Sequence, residues 1–377
     1  MDSPPDTPSP PPGLPPTGED QFRHLLTFAQ DVAANRMTLK PDHLPLTFDI
    51  HRESWVKLWS EEEGIFLTCV EARWFRYFYD SSRSLLTILP PLSYRHQAIC
   101  TLLMRLAYDA KSKLASTFEN ETSIMRGEGI LEDKMSIMCS SGAQMSTGVY
   151  AESEKQPDIL IQWHKSVIGV HAHTIVEIGL SQSLDDLQDL ARFWLNGDTH
   201  IQRVVLIDII ETPKFDLHTK ASQIENLPCF KDPTQKFQRD ESTGAISFAG
   251  FTAVGESMII WEAWERDATG VPQSTFHEAF SFGEIPSKDL PFFTIARNVY
   301  GDRTTWRGMD TSVTPELIQK FWREEWVRAS WTDACERMHP FVGVQRANEI
   351  WWEARARDFA PLPTEPTASG SVHSAGG

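Results

Sequence analysis

A chain of 377 residues with 41% hydrophobic content and a formal net charge of −17 has enough apolar material for a sizeable core, and its length suits one large domain with additions or two smaller ones. The acidity argues against a protein whose main task is to follow a phosphate backbone, since lysine and arginine drive that binding, but it leaves room for a local basic groove. Five widely spaced cysteines, Cys69, Cys100, Cys139, Cys229 and Cys335, form no CxxC pair, which suggests neither a disulfide framework nor a thiolate zinc site and suits a reducing compartment.

The opening MDSPPDTPSPPPGLPP has neither the basic start nor the apolar run of a secretory signal, and no run of eighteen apolar residues occurs. The chain therefore reads as soluble and intracellular, in cytoplasm or nucleus, with no membrane partner. Proline lacks the amide donor that helices and ladders need, so residues 1–20 read as an extended or disordered tail. A helical and irregular extension follows over 21–70, in which Phe22, Leu25, Phe28 and Val32 share one helical stripe.

WFRYFYDSSRSLLTILPPL predicts two strands around a turn at Asp80-Ser81-Ser82. YRHQAICTLLMRLAYDAKSKLA predicts a long helix, with Ile99, Leu102, Leu103, Leu106 and Ala110 on one face. Residues 120–156 are polar and variable, with one strand indicated near SIMCSS. The central stretch QPDILIQWHKSVIGVHAHTIVEIGLS carries carboxylates in two strand-like runs, Asp158 in the first and Glu177 about twenty residues later. Alternation places Asp158 with Leu160, and Glu177 with Ile175 and Gly179, so pairing of the two strands puts both acids on one face.

SQSLDDLQDLARFWLNG then predicts a helix with Ser183 as N-cap, Asp185 and Asp186 at its positive end, a stripe at Leu184, Leu187, Leu190 and Trp194, and Gly197 at its close. RVVLIDII reads as a buried strand after it, and strand, helix, strand at this spacing implies a parallel crossover. GAISFAGFTAVGESMIIWEAWERDATG reads as strands and a turn that extend the sheet or form a hairpin. TPELIQKFWREEWVRAS predicts a helix capped by Thr314 with Pro315 at its first position, and QRANEIWWEARA a shorter one with Trp351 and Trp352, which suit either a core or stacking on bases. The closing LPTEPTASGSVHSAGG reads as a disordered tail over 359–377.

Pro157-Asp158, then Ile175-Val176-Glu177-Ile178-Gly179, then Ser181-x-Ser183 and a helix ending in Trp194-Leu195 resemble the PD-(D/E)XK, or restriction-endonuclease-like, nuclease superfamily in its divergent fungal branch, related to the Uma2-type proteins. The upstream YDSSRSLLTILPPLSYRHQA, with a strand, a proline turn and His96 at a helix start, adds to the likeness, which runs from about Phe75 to Trp264. The resemblance implies an α/β fold with a mixed sheet flanked by helices over 71–300 and a helical C-terminal addition over 301–358. It also implies metal-dependent phosphodiester hydrolysis of DNA or RNA, with Asp158 and Glu177 as ligands of Mg2+ or Mn2+.

The sequence departs from that pattern at two places. Gly179 stands where the lysine that supports the attacking water is expected, and Gln97 where a glutamate is expected after His96. The lysine's role then falls to Arg192 on the helix, to Lys165 at the end of the neighbouring strand or to a neutral donor such as Gln182, with Gln97 in a supporting role, although arginine is a poor proton acceptor. The alternative is a catalytically inactive nuclease-fold module used for protein or nucleic-acid interaction. Taken singly, either acid also suits a solvent-facing sheet edge, and His171 and His173, with His164 nearby, have the alternate spacing of a zinc-binding pair without a further ligand cluster.

Overall fold

In the computed structural model, the described residues are 18–34, 46–58, 64–71, 75–89, 92–120, 135–139, 143–145, 147–166, 169–180, 182–215, 232, 235–293, 311–343, 346–347, 349 and 352. Residues 1–17, the tail over 359–377 and most of the helix expected around Trp351 lie outside them, whereas residues 18–20, expected to belong to the N-terminal tail, form the start of the first helix. The chain is mixed α/β and divides into two compact units, one made of residues 1–209, 259–280 and 285–318 and the second of 210–258, 281–284 and 319–377.

The first unit begins with helix α1 (Gly18–Ala33), strand β1 (Leu46–Asp49) and the short helices α2 (Arg52–Leu58) and α3 (Ile65–Glu71). Phe22, Leu25, Phe28 and Val32 of α1 are buried in one cluster with Trp55, Phe66 and Phe75, as the stripe predicts. Strands β2 (Arg76–Asp80) and β3 (Leu85–Leu89) pair in antiparallel fashion. Their turn is held by Asp80, whose Oδ1 accepts from the Ser82 amide at 2.9 Å and from its hydroxyl at 2.6 Å. Such a bond to the backbone two residues on is why aspartate opens turns of this kind.

Helix α4 (Tyr94–Asn120) starts where Ser93 Oγ accepts the His96 N–H, and strand β4 (Met135–Cys139) follows it. Two very short strands, β5 (Ala143–Gln144) and β6 (Glu154–Lys155), come next, then the long hairpin of β7 (Ile159–Ser166) and β8 (Gly169–Gly179). Helix α5 (Leu184–Gly197) opens with a full capping box, Ser183 Oγ accepting the Asp186 N–H and the Asp186 carboxylate accepting the Ser183 N–H. It leads into β9 (Arg203–Thr212), which runs parallel to β8 as the crossover requires.

Strands β10 (Phe237–Arg239), β11 (Ile246–Phe248) and β12 (Phe251–Val254) form a separate antiparallel sheet of three, in the second unit. Strands β13 (Glu256–Arg266) and β14 (Pro272–Ser281) extend the main sheet, whose order is β14-β13-β9-β8-β7-β4. A second sheet has the order β1-β3-β2-β6-β5, and β15 (Leu290–Phe293) pairs with β16 (Thr311–Val313). The sheet-extending and the hairpin-forming readings of residues 244–270 thus both apply, to different strands.

Helix α6 (Pro315–Phe321) begins at the expected Thr314 cap and passes through a π-helical turn, Trp322–Trp326, into α7 (Val327–Val342). Spacing alone does not predict the wider turn. Trp322 and Trp326 both bury within it, with ring centroids 5.0 Å apart and edge to face. In the second unit Trp331, Ala334 and Met338 of α7 pack with Phe237, Phe248 and Val254, and Arg337 makes a two-pronged ion pair with Glu211 at 2.6 and 3.0 Å. Among the described residues no helix is long and apolar enough to cross a membrane.

Candidate functional site

The two sheets meet at residues 154–159, where the chain leaves β6 and enters β7 through Gln156, Pro157 and Asp158. Strand alternation decides what each residue does there. Glu154 points to the Tyr77 hydroxyl, which donates to its Oε1 at 2.5 Å, and Lys155 points the other way. Farther along, the Asp158 N–H donates to Val176 O, and Ile159 pairs with Val176, which places Asp158 across from Glu177. Both acids are buried, at 1% and 2% exposure, and by strand parity they share a face with Leu160 and Ile175, which pack with α5.

Each carboxylate is met by protein donors. Asp158 Oδ1 lies 2.7 Å from Arg76 Nη1 at the start of β2 and 3.0 Å from His96 Nε2 on the first turn of α4. Asp158 Oδ2 accepts the Ile178 N–H at 2.6 Å, a backbone donor near the end of β8. Glu177 Oε1 accepts from Lys155 Nζ and from Trp194 Nε1, each at 2.6 Å, and Lys155 Nζ also stands 5.7 Å from the centre of the Trp194 ring. Thus β2 and β6 of one sheet supply two cations, β8 and the entry to β7 of the other supply two anions, and α4 and α5 close the cluster with an imidazole and an indole.

The electrostatics of the two acids differ. Burial alone would raise the Asp158 carboxyl, but His96 and Arg76, with a smaller contribution from Lys155, overcome it and hold the group well below the usual carboxylate range. Burial pushes Glu177 up, and the nearby Asp158 charge adds to this, while Lys155 and Trp194 offset only part of it. A buried charge without partners would cost several kcal/mol, on the order of what drives such groups to neutralise. Here the counter-charges come from the chain itself.

Gly179 is explained by packing. A Cβ there would lie 2.6 Å from Leu187 Cδ1 and 3.2 Å from Asp208 Oδ1, because α5 crosses close over the end of β8 and Asp208 is its register partner on β9. A side chain at the position that would carry the lysine of the family pattern requires Leu187 to shift. The cation at Glu177 comes instead from Lys155, a residue that lies in a polar stretch with no readable period.

The other expected site residues lie elsewhere. Gln97 is exposed, and its Nε2 donates to Leu92 O at the helix start. Arg192 is also exposed; it pairs with Asp189 at 2.5 Å and lies over the Trp264 ring at 5.1 Å. Lys165 sits at the hairpin end of β7, the end opposite Asp158, and its side chain falls outside the described residues. So do the side chains of His164, His171 and His173. The structure therefore brings together Asp158 and Glu177 and adds Arg76, His96, Lys155 and Trp194, of which the sequence pattern singled out His96 near a helix start and Trp194 as an apolar stripe residue.

Magnesium and manganese take hard oxygen ligands with free lone pairs. Asp158 has both oxygens engaged by donors, Glu177 has two donors on Oε1, and among the described residues no group of three or more ligating side chains stands together to hold an ion. This arrangement does not fit the divalent cation that the family resemblance implies. No family model, no curated protein and no solved structure matches the chain.

Proposed function

We propose that this chain is a divergent domain of the PD-(D/E)XK type whose ion site has become a self-neutralised ionic network, and that it serves inside the cell as a non-catalytic module for binding other proteins. The observation that carries the reading is the capture of both acids, Asp158 by Arg76 and the Ile178 amide with His96 Nε2 3.0 Å away, and Glu177 by Lys155 and Trp194. The succession of α4, β4, the β7–β8 hairpin, α5 and the parallel β9 supports the nuclease-like part of it. The net charge of −17 favours a protein partner over a phosphate backbone.

The full chain, incubated with plasmid DNA and with RNA in Mg2+ or Mn2+, is expected to cut neither above the level of an Asp158→Ala variant, to retain neither in a gel-shift assay at physiological salt, and to show no metal-dependent rise in melting temperature. Metal-dependent cleavage that disappears in Asp158→Ala would overturn the reading. One observation favours a second one, a nuclease in which Lys155 replaces the missing lysine: its Nζ is 2.6 Å from Glu177 Oε1. That reading requires cleavage by the wild type and its loss in Lys155→Ala.

A further inference from the structure

Two cysteines flank the buried Asp158. Cys100 lies one helical turn after His96 on α4, so the two residues share the face that meets the sheet. Cys139 ends β4, where its partner across the strands is Ile159, the neighbour of Asp158. Helix α4 packs on β4, which brings Cys100 and Cys139 into one neighbourhood beside Asp158, near enough for the Cys139 thiol to perturb that of Cys100. The other described cysteines bond elsewhere, Cys69 to Ala29 O and Cys335 to Ala347 O.

We propose that Cys100 and Cys139 form a reversible disulfide under peroxide stress, an oxidative modification site that ties α4 to β4 beside Asp158. Closing the bond requires the two sulfurs to reach the covalent S–S separation of about 2.0 Å, a demand on two side chains that the packing of α4 on β4 already sets in one neighbourhood. The order of events follows from access. Cys139 is half-buried and Cys100 is buried, so peroxide reaches Cys139 first. The Cys100 thiol is also pushed up, by the Cys139 thiol, by burial and by the Asp158 charge, which makes it the slower group toward a free oxidant.

The chemistry balances with one hydrogen peroxide. The Cys139 sulfur attacks one peroxide oxygen, the O–O bond breaks, and Cys139 becomes a sulfenic acid with release of one water. The Cys100 sulfur then attacks the Cys139 sulfur; the S–S bond forms, the S–O bond breaks, and the departing hydroxide takes the Cys100 proton and leaves as a second water. Two thiols have lost two electrons and two protons in all. A thiol reductant such as dithiothreitol reverses the bond by exchange.

The test uses the full chain treated with stoichiometric hydrogen peroxide, alkylated, unfolded and digested with trypsin without reduction. The expected product links peptide 96–105 to peptide 135–155 and vanishes after dithiothreitol. Cys139→Ser is expected to yield no link and an alkylatable Cys100, and Cys100→Ser to leave Cys139 as a sulfenic acid that dimedone traps. Should either variant fail to fold, the wild-type digest decides alone. Oxidation of Cys139 to sulfinic acid with Cys100 still free, or linkage of Cys139 to Cys69 or Cys229, would overturn the proposal.

Discussion

Lys155 Nζ and Glu177 Oε1 stand 2.6 Å apart with both side chains 3% exposed, so a full ion pair is enclosed where two sheets meet. Removing one member of such a pair strands the other. Lys155→Met is expected to lower stability by about 3–5 kcal/mol, whereas Lys155→Met combined with Glu177→Gln should recover much of that loss, because the orphaned charge is gone. Urea denaturation of wild type and the two variants measures this. A Lys155→Met protein as stable as wild type would show that the pair does not hold the folded state.

Asp158 gives a pH signature of opposite sign to that of Glu177. Its folded value lies below the ordinary one of about 3.9, so its contribution is fully present above that value and is lost as pH falls through the folded value. The stability gap between wild type and Asp158→Asn is therefore expected to be widest near neutral pH and to narrow below about pH 4. A gap that stays constant between about pH 7 and pH 3 would mean that Arg76 and His96 do not favour the charged carboxylate.

Gly179 should resist substitution for a steric reason. Gly179→Ala puts a Cβ against Leu187 Cδ1 and Asp208 Oδ1, and overpacking of this kind costs about 1–3 kcal/mol. Gly179→Lys should cost at least as much and place no ammonium beside Glu177, since Lys155 already occupies that ground. The clash predicts that Gly179→Ala combined with Leu187→Val loses less than the sum of the single changes, measured by thermal denaturation. Strict additivity would place the strain elsewhere.

What the sequence made legible is what is local. The strands at 76–80 and 85–89, the stripe of α4, the Ser183 cap and the β8-α5-β9 crossover all announce themselves within a few residues, through alternation, spacing or capping chemistry. The parity that puts Asp158 and Glu177 on one face is of the same kind. The partners of those acids are not. Lys155 sits 22 positions from Glu177 and Arg76 sits 82 from Asp158, and β6 is two residues long, too short to show a period. In sequence, two acids on one face call for a metal ion to offset their repulsion; the fold supplies an arginine and a lysine from a different sheet.

Trp194 offers a separation of hydrogen bonding from packing. Its indole is fully buried between α5 and the sheet, and its Nε1 donates to Glu177 Oε1 at 2.6 Å. Trp194→Phe keeps an aromatic ring in the core and removes that donor. Part of the cost is lost ring volume and does not depend on pH. The rest is the lost bond to a buried carboxylate, about 1.5–3 kcal/mol for a charged acceptor, and it depends on whether Glu177 is ionised. Burial has raised Glu177 above its ordinary range, and Trp194 is one of the groups pulling it back, so the variant should raise it further. A group whose folded value is raised weakens the fold as pH climbs through that value. The destabilisation by Trp194→Phe is thus expected to be smallest in acid, where Glu177 is protonated in both proteins, and to grow toward neutral and alkaline pH. Glu177→Gln should abolish that growth and leave the packing cost in place. A loss equal at all pH values, or a pH dependence that persists when Trp194→Phe is made in the Glu177→Gln protein, would assign Trp194 a packing role alone.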